Sequence, residues 1–213
     1  MSRLSDNLEN IAEQVRRAFT ELDAAREKAL PCCREVIRNC SQAIRAVHRQ
    51  ELDKAAELLK MARNLLTDAE KTVVNYDELN YTGFFRDAQK EYAEGSILLS
   101  VVKGEPMPSP GELGIDNAAY LNGLGEAVGE LRRYLLDSMR QGDISRGEEL
   151  LQIMDDIYSV LVTIDFPDAI TGGLRRTTDM VRGVLERTRS DLTLIVRQKD
   201  LENRLEQIRE GGE

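Results

Sequence analysis

The chain has 213 residues, of which 41% are hydrophobic and only 5% aromatic, and its formal net charge is −9. This length is sufficient for one substantial core, so we expect a single domain over residues 1–213. The net charge argues against a protein that coats nucleic acid by overall attraction, because phosphate binding needs a positive potential. The start lacks a signal peptide and no apolar run approaches the ~20 residues of a membrane span, so we expect a cytoplasmic protein without a membrane partner.

Helical periodicity accounts for the N-terminal half of the chain. Apolar residues recur at alternating spacings of three and four from Leu4 to Leu22, which predicts a helix that continues, bent at Pro31, to about His48. Similar stripes between residues 52 and 73 and between residues 85 and 101 predict two further amphipathic helices.

Glycine and proline residues interrupt the helical pattern between residues 102 and 116. Because proline removes a backbone donor and fixes φ, we predict a loop there that contains at most one short helical turn. Helical spacing resumes over residues 121–139 and again over residues 150–161. Between these two stripes, Gly142 and Asp143 are predicted to be a C-cap and an N-cap respectively.

The last apolar stripe, from Ile170 to Ile208, predicts a helix of more than 30 residues. A helix of this length invites packing against another subunit. The Glu-Gly-Gly-Glu sequence at residues 210–213 is expected to be a disordered tail. Since no stretch is typical of a strand, the expected fold is all-α, a bundle of about six to seven long amphipathic helices.

Local charge departs from the net charge between Arg26 and Arg49. This segment contains six basic residues and two acidic ones, a local net charge of +4. On a helix, such a segment forms either a solvated face or a surface that attracts phosphate groups. Charge alone leaves both interpretations open.

Few residues are suited to nucleophilic or zinc-dependent chemistry. The sequence contains one histidine, His48, and three cysteines, Cys32, Cys33 and Cys40, without a CxxC pair. We expect reduced, half-buried cysteines and neither a zinc site nor a disulfide framework. The sequence also lacks a glycine-rich phosphate-binding loop.

Two pairs of glutamates remain as candidate catalytic or metal-binding residues. Glu91 and Glu94 are three residues apart and Glu126 and Glu130 are four apart, so each pair projects from one helical face. Both pairs interrupt or border an apolar stripe, where an unneutralised carboxylate is costly. Carboxylates without imidazole or thiolate suit Mg²⁺ or Mn²⁺, which could activate water for phosphodiester cleavage. The alternative is that these acids form ordinary salt bridges on the surface.

Several motifs resemble those of the translin and translin-associated factor X family. The basic segment from Arg26 to Arg49 looks like the first helix of factor X, including its final His-Arg. Glu91-Tyr-Ala-Glu94 is similar to the family's Glu-Tyr-Val-Glu, and Tyr120-Leu-Asn-Gly to Glu130 resembles its Tyr-Leu-x-Gly segment with two acids four apart. Gly142-Asp143 and the segment from Leu174 to Arg187 also match, so the resemblance spans roughly residues 25 to 195.

The resemblance implies an all-α bundle that assembles into closed, shell-like homo-oligomers, often octamers, which hold RNA or single-stranded DNA inside. Because both acidic pairs are present, the chain looks like the factor X branch, a metal-dependent endoribonuclease acting on single-stranded or unpaired RNA. The implied ligands of Mg²⁺ (or Mn²⁺) are Glu91, Glu94 and Glu126, and Glu130 is implied as a fourth ligand or nearby base. The implied phosphate-binding residues are Arg34, Arg38, Arg45, His48 and Arg49.

At one position the sequence departs from the family pattern. Glu126 occupies the place of an aspartate in the factor X motif, and its side chain is one methylene longer. Such a change could move a metal ligand by ~1 Å, enough to lower activity. Two alternatives to the nuclease therefore remain: a non-catalytic oligomer of the translin type that binds RNA or single-stranded DNA, and a helical scaffold without a nucleic-acid role.

Overall fold

The computed structural model describes residues 3–80 and 82–210. In these two ranges it contains six long helices, three helices of four residues and no strand, so the all-α prediction is confirmed. The helices in chain order are α1 Arg3–His48, α2 Leu52–Val73, α3 Asp77–Asn80, α4 Gly83–Lys103, α5 Pro110–Leu113, α6 Asn117–Arg140, α7 Gly147–Thr163, α8 Asp168–Thr171 and α9 Leu174–Glu210. None of these helices combines the length and apolar content that a membrane-spanning segment needs.

The boundaries of the long helices follow the predicted periodicity. Helix α1 continues through Pro31 to His48, and α9 is 37 residues long, so the prediction of an overlong last helix is confirmed. The predicted loop at 102–116 contains α5, whose start is stabilised by a capping box between Ser109 and Glu112. Of the predicted tail at 210–213, residues 211–213 lie outside the described residues.

The prediction that Asp143 caps the following helix is wrong. Helix α7 begins four residues later, and Arg146 occupies its N-cap position without a side-chain capping bond. Asp143 instead accepts a hydrogen bond from the Ser145 backbone N–H at 2.9 Å, which closes a local turn. Gly142, with φ of 83°, follows the α6 C-cap residue Gln141 and reverses the chain.

Helices α4 and α6 are central to the bundle. Helix α4 packs against α1, α2 and α6, while α6 also contacts α7 and α9. Helices α6 and α9 run in the same direction. Asn122 bonds Thr177 near their starts, and Arg132 bonds Thr188 ten residues further along α6 and eleven further along α9. Apolar residues from the long helices form one continuous core between them.

Two glycines allow α6 to approach its neighbours closely. A Cβ atom at Gly123 would lie 2.5 Å from the backbone oxygen of Lys90 on α4, and one at Gly125 would collide with the methyl group of Thr177 on α9. Each glycine therefore permits two helices to approach closely, and any larger residue would force them apart. The next α6 residue that faces α4 is Glu126, so this contact also determines how near its carboxylate comes to α4.

Apolar side chains are exposed near the start of α1 and near the end of α9. Near the start of α1, Leu8 and Phe19 are 67% and 65% exposed, since α2 is only half as long as α1. Near the end of α9, Leu201 and Ile208 are 58% and 72% exposed. Exposed apolar stripes at helical spacing are typical of surfaces that pack against another chain.

The Gly123 contact generates a stability prediction. Gly123→Ala places a methyl group against the Lys90 carbonyl and the Ala93 side chain, so we expect a loss of about 1–3 kcal/mol in the free energy of unfolding. Gly129→Ala on the same helix is the matched control, because a Cβ there meets no atom within 4 Å. The control should be neutral or stabilising by up to about 1 kcal/mol, since alanine favours helix.

Urea denaturation followed by circular dichroism measures both variants. Equal stability changes for Gly123→Ala and Gly129→Ala would contradict a tight α4–α6 contact at Gly123.

Candidate metal centre and its basic rim

Three carboxylates from two helices converge at the α4–α6 seam. Glu91 and Glu94 lie one turn apart on α4, and Glu126 faces them from α6. One oxygen atom from each side chain can be chosen so that all three lie within 4.8 Å of one another. The structure thus brings together the three residues that the sequence predicted as metal ligands, in an arrangement that offers only oxygen donors.

The electrostatics of this group favour a bound cation. Glu94 is buried on α4, and burial, followed by repulsion from Glu91, Glu126 and Glu130, raises the pKa of its carboxyl to about 8. Burial and the charge of Glu126 also raise the pKa of Glu91. Several carboxylates held together in a half-buried seam destabilise one another's charged forms, and a hard divalent cation relieves that repulsion. The residues therefore fit Mg²⁺ or Mn²⁺.

Sequence reasoning missed Lys90, which lies beside these acids. Its ammonium group donates a hydrogen bond to Glu126 at 2.8 Å. Although burial acts to lower it, the pKa of Lys90 is raised by this hydrogen bond and by the charges of Glu126, Asp87 and Glu91. Its only signal in the sequence was its position directly before Glu91, which does not indicate contact with α6.

Glu130 has a different environment from the other three acids. His48, at the end of α1, contacts its carboxylate through Nε2 at 2.5 Å, and Arg133 lies 3.6 Å away. The His48 hydrogen bond is the main reason that the pKa of Glu130 is lowered, against the opposing effect of burial. Glu130 thus shares the site but lies outside the group of three converging carboxylates.

The predicted role of His48 as a phosphate-binding residue does not fit its position. Its side chain is only 5% exposed, and its ring is turned towards Glu130 instead of solvent. The sequence placed His48 with the arginines because it ends the same basic segment. The close packing of α1 on α4 and α6 determines that this residue faces inwards.

The acidic group lies in a cleft of about 510 Å³ between α1, α4, α6 and α9. Two arginines line the same cleft: Arg45 from α1, which was predicted, and Arg133 from α6, which was not. The full lining is Ser41, Ile44, Arg45, Glu91, Glu94, Glu126, Glu130, Arg133 and Met180. Positive side chains beside a group of carboxylates suit a ligand that carries negative charge and bridges to a bound cation.

The other predicted basic residues extend along the exposed face of α1. Arg34, Arg38 and Arg45 are exposed, and at 100° per residue they lie within about 40° around the helix, while Arg49 is exposed in the turn directly after it. Arg38 is 3.4 Å from Glu35, a neighbour on its own helix. Their contact with phosphate stays a prediction.

Comparison with known proteins identifies the family. No family model matches the chain. A structure of AfC3PO in complex with duplex RNA is 36% identical, with a TM-score of 0.80, over 86% of this chain and 95% of that one. C3PO is an assembly of the translin and factor X type. The chain belongs to the translin family.

Three further comparisons show proteins similar to this chain. A second AfC3PO structure is 34% identical, with a TM-score of 0.78, and covers 86% of this chain and 96% of that one. NeC3PO without ligand shares the fold at 21% identity and a TM-score of 0.76. An uncharacterised protein of Methanocaldococcus jannaschii is 28% identical over 198 residues, which are 89% of this chain and 84% of the relative.

The environment of Glu94 in this translin-family chain generates a pH prediction. Because the folded state raises the pKa of Glu94 to about 8, it binds the proton more tightly than the unfolded state does. Wild-type stability should therefore fall as pH rises from 4.5, the ordinary pKa of a glutamate, through about 8. Glu94→Gln removes this ionisation, so the variant should be the more stable protein at about pH 9, by a difference on the order of 2 kcal/mol.

Urea denaturation in EDTA at about pH 5 and about pH 9 measures this difference. The control is Glu148→Gln, which neutralises an exposed glutamate on α7 and should behave like wild type at both pH values. A stability difference between Glu94→Gln and wild type that does not change with pH would contradict the prediction.

Proposed function

We propose that this translin-family protein is an RNA-binding, Mg²⁺-dependent endoribonuclease that cleaves single-stranded or unpaired RNA. The observation that carries the proposal is the convergence of Glu91, Glu94 and Glu126 in a cleft that also presents Arg45. Such a cleft combines a place for a divalent cation with a place for the phosphate that the cation activates. AfC3PO, the relative solved with duplex RNA, supports RNA as the ligand.

The roles of the side chains follow from their positions. Glu91, Glu94 and Glu126 would hold Mg²⁺ (or Mn²⁺), which supplies Lewis-acid activation of water and of the phosphodiester. Arg45 and Arg133 line the cleft and would hold a phosphate oxygen. Arg34 and Arg38 on the exposed face of α1, and Arg49 directly after its end, would contact phosphates further along the strand.

Glu130 is better suited to binding than to accepting a proton. Its contact with His48 lowers its pKa, so the carboxylate stays ionised and is a weak base near neutral pH. We therefore propose Glu130 as a residue that orients water or supports the cation, with His48 as the residue that fixes its position. The buried ring of His48 is suited to this supporting role.

One observation favours a second function, a non-catalytic oligomer that binds RNA or single-stranded DNA. The ammonium group of Lys90 already neutralises Glu126 at 2.8 Å, so the acids have a structural partner without a metal. In this alternative the carboxylates stabilise the α4–α6 seam and the arginines alone bind nucleic acid. Incubation with RNA in Mg²⁺ and in EDTA separates the two functions.

We also propose that the protein acts as a closed homo-oligomer, near an octamer. The proposal rests on the exposed apolar residues at the start of α1 and at the end of α9, together with family membership. Because such stripes are covered only by another chain, we expect a mass several times that of the 24.0 kDa monomer. Multi-angle light scattering at micromolar concentration measures this mass, and a monomer would contradict the proposal.

Charge neutralisation tests the catalytic proposal. Glu91→Gln or Glu94→Gln keeps the side-chain shape but removes a charge that holds Mg²⁺, so each should reduce cleavage of labelled RNA by at least about 100-fold. RNA affinity and oligomer mass should stay close to wild type, because the proposed phosphate contacts come from arginines. Both single-stranded and duplex RNA should be assayed, with Mg²⁺ and with EDTA.

The matched control is Glu148→Gln, which removes the same charge from an exposed position on α7 and should cleave at the wild-type rate. If Glu94→Gln cleaved RNA at the wild-type rate, the catalytic proposal would be contradicted and these acids would have a structural role only. Binding by the wild type without any Mg²⁺-dependent cleavage would favour the non-catalytic alternative.

A further inference from the structure

A second cavity lies on the other side of Glu126 from the acidic cleft. It has a volume of about 410 Å³ and lies between α4, the first turns of α6, and the junction of α8 with α9. Glu126 lines both the cleft and this cavity. The cleft and the cavity therefore adjoin at this side chain, and the volume of the cavity suits a small ligand.

The charged residues of this cavity are of both signs. Its lining contains three basic residues, Arg86, Lys90 and Arg176, and three acidic ones, Asp87, Glu126 and Asp168. Lys90 and Glu126 pair with each other. A mixed lining of this kind does not suit an anion alone, but it suits a ligand that carries a phosphate and also donates hydrogen bonds from hydroxyl groups.

Asp87 and Arg176 are two charged residues of this lining that come from different helices, α4 and α9. Asp87 is exposed on α4, three residues before Lys90, and Arg176 is exposed on the first turn of α9. Among residues 3–80 and 82–210, neither has a salt bridge to another side chain within 4.0 Å, whereas the adjacent Arg175 lies 3.4 Å from Asp165 and faces a different cavity. A carboxylate and a guanidinium that share a cavity without pairing can each bind a different group of one ligand.

The wall that carries Arg176 is fixed by hydrogen bonds. The buried amide of Asn122 on α6 donates to the Thr171 carbonyl at 2.8 Å and accepts from the Thr177 hydroxyl at 2.6 Å. Gly125 brings α9 into direct contact with α6 at the same level. These contacts hold the start of α9 against the helix that carries Glu126, so the cavity is formed before a ligand binds.

We propose that this cavity is a ribonucleotide subsite that recognises RNA by its sugar. Arg176 contacts the phosphate of the nucleotide adjacent to the one in the cleft, and the Asp87 carboxylate accepts a hydrogen bond from its ribose 2′-hydroxyl. The 2′-hydroxyl is the group by which a protein distinguishes RNA from DNA at a given position. The proposal rests on the proposed function and deepens it, because it names the residues by which the site would distinguish RNA from single-stranded DNA.

Binding measurements in EDTA test the subsite independently of cleavage. Fluorescence anisotropy with single-stranded RNA and DNA of the same sequence gives an RNA-to-DNA affinity ratio for each protein. Asp87→Ala should lower this ratio roughly three- to tenfold, the effect of one lost hydrogen bond. Removing the Asp87 charge also weakens repulsion of all phosphates, but that effect raises both affinities together and leaves the ratio unchanged.

The matched pair Arg176→Ala and Arg175→Ala tests the phosphate contact. Arg176→Ala should weaken RNA and DNA binding alike and reduce the slope of log affinity against log salt by roughly 0.7. Arg175→Ala removes the same charge one residue away, outside the cavity, and should leave affinity and slope close to wild type. Both arginines are exposed, so both variants should fold.

The outcomes separate the subsite from the proposed function. An unchanged RNA-to-DNA ratio in Asp87→Ala, or equal effects of Arg176→Ala and Arg175→Ala, would overturn the subsite while wild-type RNA binding stood. A wild-type protein that binds neither RNA nor DNA would overturn both. If Asp87→Ala failed to fold, the comparison between the two arginine variants would still decide whether the cavity contacts the strand.

Discussion

Where α4 crosses α6, Gly123 lets the two backbones approach so closely that the Lys90 carbonyl lies where a Cβ atom would otherwise be. This contact places Glu126 opposite Glu91 and Glu94, and it also places the Lys90 ammonium within 2.8 Å of Glu126. If α4 and α6 were further apart, the three carboxylates on these two helices would not converge. The acidic group, its basic neighbour and both adjoining cavities therefore depend on one close backbone contact.

That arrangement holds several carboxylates close together in a partly buried seam, which disfavours their charged forms. Burial and repulsion raise the pKa of Glu94 to about 8, so its charged form is unfavourable unless a positive group lies nearby. Lys90 forms an ion pair with Glu126, and His48 contacts the carboxylate of Glu130. The remaining pair on α4 keeps no such partner among the described residues, which is the situation that a divalent cation relieves.

The substitution of glutamate for the family's aspartate at position 126 is consistent with this geometry. The extra methylene does not carry the carboxylate out of reach, since an oxygen of Glu126 still lies within 4.8 Å of oxygens from Glu91 and Glu94. The same side chain also reaches Lys90 and borders the second cavity. In this chain with a net charge of −9, Arg45 and Arg133 place two positive side chains beside the four glutamates of the cleft.

The sequence by itself determined the helices, because apolar spacing of three and four residues fixes which face of each helix is buried. It also determined the pairs Glu91 with Glu94 and Glu126 with Glu130, and the motifs of the family. Only the tertiary structure decided that His48 turns inwards to Glu130 and that Lys90 joins the acids. Periodicity determines the direction in which a side chain points from its own helix axis. Contacts between helices depend also on how the neighbouring helices are shifted and rotated. For α6 and its neighbours, close packing at Gly123 and Gly125 helps to set that placement.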